Sequence, residues 1–541
     1  MRPLTLGMAW LVGLTAGWPR DAEPNWNAQR AGRLAAKLRD RRGARIVVLG
    51  DSLTSAMGLS RRDGFPMVLE RVLRERYRDP DILVIPSGVP GETSAGGLRR
   101  FDEAVASRGA DLVVLQYGGN DHGWGRKVEQ YRRDLAALVD RVRADTHAAC
   151  IVCAPPMTSP RPMSPFVRAA VEVANTAGVP VADFDSAIRR GDHDFRGPFP
   201  HGEHPAPFTH AIMAKELHRA FDDLIGVEPT LSVTIEGGQR FVRPGGIVHV
   251  RVEAGNDGDA PEEGVLLVDW NGLPTRRRFD LAPGQRAAFA CEREAPDMLA
   301  HGKSVRTRMM AIAIARDRAA FDVKWITFAP VLGCDEAEEG AAVRLPHTLG
   351  PQCVELGLDE WQGPADLSAT FEVGSREGRL ETTVTVRDDD VAPHGIADAP
   401  FGDAVELYID ARPGADRGRP VYDDGVLCLF VLPRVDGEGR TEWGPLDPPA
   451  PREDAIWATG ERLPDGYAVT ASVSLDLLRE LAGGELSWVG FDVGVDDADG
   501  GGNRETQMMW AGTGRNFVDA SMFAALTFGP VYGERLLLSI R

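Results

Sequence analysis

An α/β domain built on a parallel sheet, followed by two antiparallel β-sandwiches, is the fold class this sequence predicts. Over residues 43–226 short β-branched runs alternate with longer stretches whose apolar residues recur every three or four positions, the mark of βα units. Beyond residue 227 apolar residues alternate with polar ones in runs broken by Gly, Pro and Asn, as in half-buried antiparallel strands. A chain of 541 residues is also too long for one ordinary core.

Each element follows from these patterns. The runs ARIVVLG (44–50), DILVIPSG (81–88), DLVVLQYGG (111–119), ACIVCAPP (149–156) and VPVADFD (179–185) are nearly continuous in apolar residues, which suits strands covered on both faces. Between them FPMVLERVLRERY, AGGLRRFDEAVAS and YRRDLAALVDRVRADT carry helical spacing, and FTHAIMAKELHRAFDDLI closes the domain with a last helix. In residues 227–331, LSVTIEG, GIVHVRVEAG, GVLLVDWNG and AAFACER read as strands of an immunoglobulin-like sandwich, with Trp270 a core or turn aromatic. The acidic, turn-rich VLGCDEAEEGAA then introduces residues 332–541, where RLETTVTVRDDD, DAVELYID, GVLCLFVL, YAVTASVSL, SWVGFDVGVDD and MFAALTFG read as a second sandwich. No short-period repeat is visible, which argues against a solenoid or propeller.

Composition narrows the partners. With 80 acidic against 61 basic residues the formal charge is −19, so nucleic acid and anionic membrane surfaces are poor partners, while neutral esters and sugars fit. Residues 1–42 read as a leader-like segment and an N-terminal arm: one arginine, a short apolar run over 8–17 and a polar break. Secreted or periplasmic placement is the expectation, with the cytoplasm left open. No other stretch is apolar for the ~20 residues that a membrane helix requires, so no integral membrane association is expected. Six cysteines do not make a disulfide scaffold. Cys150 and Cys153 form a CxxC inside a strand rather than at a helix start, which argues against redox chemistry. Cys334 and Cys353 flank the acidic loop and are the one pair considered for a bridge.

The chemistry concentrates beyond the carboxyl ends of the predicted parallel strands, where open α/β sheets bind their ligands. Gly50-Asp51-Ser52 follows the first strand, SGVPGETSAGG (87–97) the second and GGND (118–121) the third, while HGEHP (201–205) precedes the last helix. A serine hydroxyl is a weak nucleophile near neutral pH and needs a base, for which histidine is suited. Ser52 supplies the oxygen and His204 the imidazole. Attack on an ester carbonyl builds charge on oxygen, and the candidate donors to it are the backbone N–H groups of Ser52 and Gly91 and the side-chain amide of Asn120. His122 and Trp124 in NDHGWG are candidates for lining the acyl or alcohol pocket. The histidines make no convincing metal site, and neither HExxH nor paired CxxC spacing occurs.

These four clusters, in order, resemble the SGNH, or GDSL-type, hydrolase superfamily over roughly residues 43–226. The resemblance implies a flavodoxin-like three-layer αβα domain, a serine esterase activity through Ser52 and His204, and no required cofactor. In one respect the chain departs from the pattern. Family members commonly carry an aspartate three residues before the histidine, and here that position is His201. Three readings stay open: a Ser52–His204 dyad oriented by a backbone carbonyl; an acid from Glu203, Asp192 or Asp194; and weak or absent catalysis, with the fold serving as the scaffold of a glycan-binding or adhesion protein.

The region from about 332 to 530 resembles family-nine carbohydrate-binding modules through WQGPADLSATFEV, VTVRDDDVAPHG, GDAVELYIDARP, DGYAVTASVSLDLL and GFDVGVDDADGGGNRETQMMW. That resemblance implies a sugar held between aromatic faces, the platform positions being occupied by Phe401 and Phe517, where tryptophans are typical. The loop VDDADGGGNRE (495–505) is rich enough in oxygen to hold Ca2+, although its spacing is not that of an EF-hand. Together the two resemblances imply an exported esterase acting on an ester substrate, with an acylated polysaccharide as the candidate.

Overall fold

Five strands pair in parallel in the order β2-β1-β3-β4-β5: β1 (Arg45–Gly50), β2 (Leu83–Gly88), β3 (Leu112–Gln116), β4 (Ala149–Ala154) and β5 (Val181–Asp183). The register sets Ile46 opposite both Val84 and Leu112, and Leu112 opposite Ala149, so all carboxyl ends meet at one edge. The structure, a computed structural model, describes residues 26–156, 163–189, 204–242, 245–334, 347–413, 422, 424–435, 439–445, 454–499 and 503–528.

Among the described residues ten helices accompany this sheet: α1 (Trp26–Arg39), α2 (Ser52–Ser55), α3 (Phe65–Tyr77), α4 (Ser94–Arg99), α5 (Phe101–Ala104), α6 (Gly119–Gly123), α7 (Val128–Asp145), α8 (Ser164–Ala177), α9 (Phe184–Arg189) and α10 (Pro207–Ile225). They cover both faces. Ile46 and Val48 of β1 join Leu34, Val68, Leu69, Leu217 and Phe221 on one side, whereas Val47 and Leu49 join Leu135, Leu138 and Ala170 on the other. That double burial is why β1 reads as an unbroken apolar run rather than an alternating one.

Part of the expected N-terminal arm is a docked helix. Asn27 of α1 receives the Cys150 N–H at 2.8 Å and donates to the Cys150 carbonyl at 3.1 Å, while Leu34 and Leu38 enter the core. No helix among the described residues is long and apolar enough to cross a membrane.

The middle region is a two-sheet sandwich. One sheet runs β10-β9-β12-β13-β7 and the other β11-β8-β6, from β6 (Leu231–Ile235), β7 (Gly238–Phe241), β8 (Ile247–Asn256), β9 (Glu262–Trp270), β10 (Leu273–Leu281), β11 (Arg286–Glu294), β12 (Val305–Ala315) and β13 (Arg318–Ala329). Trp270 is buried and its indole N–H donates to Thr307 Oγ1 at 2.9 Å, so it is a core residue.

The longest strands here, β12 and β13, bury both faces. Met309, Ala311, Ala313 and Ala315 point into the sandwich, while Met310, Ile312 and Ile314 join Phe321 and Val323 in the core of the parallel-sheet domain. Across this boundary the Phe208 and Trp325 rings stack at 4.1 Å, Lys215 pairs with Asp322 at 2.8 Å, and buried Arg76 donates to the Asp317 carbonyl at 2.6 Å. At roughly 1.5–3 kcal/mol for each large side chain fully buried, this seam contributes as a core does.

The C-terminal region also has two mostly antiparallel sheets. One includes Leu367–Arg376, Arg379–Asp388 and Gly466–Ser474; the other includes Ala404–Asp410, Val426–Val435 and Trp488–Asp497. The strand Val331–Cys334 lies across the expected boundary at 331/332 and pairs in parallel with Ala524–Phe528 of this unit. Cys353 is a free buried thiol, while the side chain of Cys334, considered as its partner from the sequence, lies outside those described.

Candidate active site

Ser52 stands where β1 ends, as the first residue of the single-turn helix α2. Asp51 caps that turn, its carboxylate accepting the Leu53 N–H at 3.0 Å. The turn sits tightly on the sheet edge because of two glycines. A Cβ at Gly50 would lie 2.2 Å from Thr54 Oγ1 and 2.7 Å from the Gln116 carbonyl oxygen, and one at Gly88 would lie 2.5 Å from both the Asp51 carbonyl oxygen and the Ser55 nitrogen. The small residues around the serine are thus a packing requirement.

The structure gathers four of the expected residues at one place. Ser52, Gly91, Asn120 and His204 all line a cleft of about 340 Å³, whose other walls are Asp51, Leu53, Met57, Pro90 and Gly119. Gly91 has φ +76°, a conformation costly for any residue with a Cβ, and no atom lies within 4 Å of where that Cβ would stand. Asn120, in α6, donates from Nδ2 to the Glu92 carbonyl at 3.0 Å. One of its two amide hydrogens therefore anchors it to the Gly91 loop, and the other is free to serve a ligand.

Two polar networks hold these loops, and sequence reasoning missed both. Arg100 Nε donates to both Glu92 carboxylate oxygens at 2.8 Å, while Nη2 reaches the Gly50 carbonyl at 3.1 Å and the Ser87 carbonyl at 2.9 Å. The Tyr117 hydroxyl closes the set on Glu92 at 2.7 Å. The loop bearing Gly91 is thereby tied to the end of β1. In the second network buried Asp121 accepts the Ser94 N–H at 3.0 Å and the Ser94 hydroxyl at 2.7 Å, and pairs with Arg126, which also holds Asp134 at 2.5 Å. Glu92 and Asp121 adjoin the motif residues, but their partners lie on other elements at spacings that carry no periodic signal.

His204 enters three residues before α10, and the neighbouring His210 is locked. The His210 Nδ1 accepts the Phe65 N–H at 3.2 Å, and burial, aided by the nearby charge of His204, lowers its pKa to about 3. His210 therefore stays neutral near neutral pH. His201, Glu203, Asp192 and Asp194, the positions considered for orienting the base, lie outside the described residues.

Burial raises the Asp51 carboxyl from its ordinary 3.8 to about 7, against the opposing Leu53 N–H and Gln116 amide. A folded-state pKa above the unfolded value means that the native protein binds the extra proton, so stability falls as pH rises from about 4 to about 7. At 1.36 kcal/mol per unit the loss reaches up to about 4 kcal/mol. Asp51→Asn keeps the capping oxygen and removes the titration. Calorimetric melts from pH 4 to 8 should show the variant gaining on the wild type toward pH 8, and parallel curves would refute the assignment.

Other expected residues fall elsewhere. His122 packs edge-on against Phe166 with ring centres 5.4 Å apart, Trp124 is 72% exposed, and neither lines the cleft. Leu53, Met57 and Pro90 form the apolar walls instead. Burial pushes the Cys150 thiol up to about 12 and holds that of Cys153 well above its ordinary value, which disfavours the thiolate that redox chemistry needs. Phe401 and Phe517 of the C-terminal region are both solvent-exposed, at 52% and 39%.

Known proteins resemble part of this chain. Residues 48–212, which include Ser52, Gly91, Asn120 and His204, match the model of the GDSL-like Lipase/Acylhydrolase family. Esterase TesA of Pseudomonas aeruginosa is 34% identical over 141 residues, covering 25% of this chain and 69% of that protein. An arylesterase of Vibrio mimicus is 31% identical over 99 residues, 18% of this chain and 48% of that one. Among solved structures, the crystal structure of TesA aligns with 27% identity over 33% of this chain and 99% of its own, at a TM-score of 0.30. Axe2, an acetylxylan esterase from Geobacillus stearothermophilus, aligns with 21% identity over 34% and 95%, also at 0.30. Through its N-terminal domain, and with the serine, glycine, asparagine and histidine clusters gathered in one cleft, the chain belongs to the GDSL-like lipase/acylhydrolase family and is a carboxylic ester hydrolase.

Proposed function

We propose that the protein hydrolyses a short-chain ester, with acetyl groups on a polysaccharide as the substrate class, through an acyl-enzyme on Ser52. The reading is carried by the convergence of Ser52, Gly91, Asn120 and His204 on one cleft. His204 takes the Ser52 hydroxyl proton as Oγ bonds to the carbonyl carbon. The carbonyl oxygen, now an anion, is met by the Ser52 and Gly91 N–H groups and the free Asn120 amide hydrogen. Collapse expels the alcohol, which leaves with the proton from His204. Water then repeats the sequence on the acyl-enzyme, His204 acting as base and then acid, to release the carboxylic acid and regenerate Ser52.

Two features support the substrate class. The cleft is near the small end of ligand pockets and its apolar walls are few, which suits a short acyl group. The exposed Phe401 and Phe517 and the net charge of −19 favour a neutral glycan over a polyanion. A fluorophosphonate probe tests the nucleophile directly. It should label the full chain once, at Ser52 by peptide mass spectrometry, with protection by excess p-nitrophenyl acetate; an unlabelled Ser52 in folded protein would exclude the mechanism.

A further inference from the structure

Where the parallel-sheet domain meets the middle sandwich, the described residues bound a cavity of about 710 Å³ that shares no lining residue with the serine cleft. Its walls come from α3, the start of α10, β9, β10, β12 and β13. That volume falls within the ~300–1,000 Å³ of small-molecule sites, which favour domain interfaces. Part of the lining is apolar: Trp325 and Leu267, both half-buried, stand there with Phe208 and Met310. The rest is dominated by arginine. Arg62, Arg71, Arg276, Arg306 and Arg308 face the space together with Asp63, Glu75 and Asp269. Asp519, from outside the cavity, holds Arg306 at 3.0 Å, so one positive charge is left over in a chain whose net charge is −19.

These arginines are poorly bonded. Arg308 is 7% exposed, and its Nη atoms reach the Pro207 carbonyl at 3.3 Å and Asp63 at 3.5 Å, while its Nε is buried with no acceptor. Arg306 Nε is buried without an acceptor as well, and that guanidinium lies over the Trp325 ring at 5.5 Å. Arg71 meets Asp269 at 3.6 Å and turns Nη2 to the Met310 sulfur at 3.8 Å, a weak acceptor. Charge-assisted bonds ordinarily close to about 2.7–2.9 Å. On the same helix, outside the cavity, Arg74 reaches Glu70 at 2.9 Å. Burial, and after it the neighbouring Arg308 charge, lowers the Arg71 pKa against the pull of Asp269. Guanidinium groups crowded together and short of acceptors carry a desolvation cost that an oxyanion between them would offset.

We infer that this cavity is a binding site for a small organic acid, its carboxylate held by Arg308 and Arg71 and its apolar body laid against Trp325 and Leu267. The guanidinium fork offers parallel N–H groups that match the two oxygens of a carboxylate. One surplus positive charge suits a monoanion better than a phosphate group, which carries nearly two negative charges. Pro207 and Phe208, which begin α10, belong to the same wall, so the acid sits against the helix that follows His204.

Isothermal titration of the full chain with sodium phenylacetate tests the site, with phenylacetamide as the neutral isostere and inorganic phosphate as the second control, all at one ionic strength. The expected result is one phenylacetate per chain, bound at least about tenfold more tightly than either control. Arg308→Gln and Arg71→Gln should each weaken that binding by about tenfold or more. Asn120→Ala in the serine cleft and Arg33→Gln, exposed on α1, should leave it within about twofold. No binding heat at about 10 mM phenylacetate would overturn the site, as would equal affinity for phenylacetamide or for phosphate. If Arg308→Gln does not fold, Arg71→Gln decides by the same criterion, its side chain being 42% exposed. Binding lost in Asn120→Ala but kept in Arg71→Gln would put the acid in the serine cleft and also overturn the proposal.

Discussion

Ser52→Ala is expected to lower kcat on p-nitrophenyl acetate by about 10⁴-fold or more while leaving the fold intact. The side chain can be removed cleanly. The structural bonds at this position are made by the backbone, the Ser52 carbonyl accepting the Ser55 hydroxyl at 3.0 Å and the Met57 N–H at 3.1 Å. Asp51 continues to cap the turn through its own carboxylate. On the proposed mechanism what is lost is the atom that forms the acyl-enzyme, and without it His204 has no oxygen to activate. Because nucleophile and base act as a unit, adding His204→Ala to Ser52→Ala should cost little more. Steady-state rates with a circular dichroism melt check both points, and a Ser52→Ala rate within tenfold of wild type would place the nucleophile elsewhere.

Asn120→Ala carries the second large effect, a loss of about 10²–10³-fold in kcat with KM changed severalfold at most. The asymmetry between the two constants is the informative part. A donor that meets charge only as it develops on oxygen contributes to the transition state and little to ground-state binding. Asn120 also tethers the Glu92 carbonyl at 3.0 Å, so a purely structural role predicts loosening of the Gly91 loop as well. Comparing kcat and KM across p-nitrophenyl esters of different chain length separates the roles. A rise in KM that follows chain length, with kcat preserved, would show Asn120 to be a wall of the cleft rather than an oxyanion donor.

Much of the N-terminal architecture was legible in the sequence because a parallel sheet buried on both faces leaves long β-branched runs such as IVVL over 46–49 and LVVL over 112–115. The motif residues were legible for a related reason: they must follow those runs, where the strands end. Residues acting through partners on other elements were not. Nothing in the spacing of Glu92, Arg100 and Tyr117 announces that they close one ring of bonds, since the spacing reflects three chain segments meeting in space. β12 and β13 escaped for a different reason. VRTRMMAIAIA buries alternate residues in two separate cores, so the polar half of the usual alternation is missing and alanine gives little strand signal.

That two-faced strand pair changes what counts as the hydrolase. α10, which begins just after His204, is packed on one side against the parallel sheet and on the other against Met310, Ile312 and Trp325. A gene fragment stopped after Gly226 would therefore leave Phe208 and the outer wall of α10 open to water, a sticky flank where the native protein has an interior. The sandwich therefore covers the outer wall of α10 much as a keystone closes an arch, and β12 and β13 share one hydrophobic core with the parallel-sheet region.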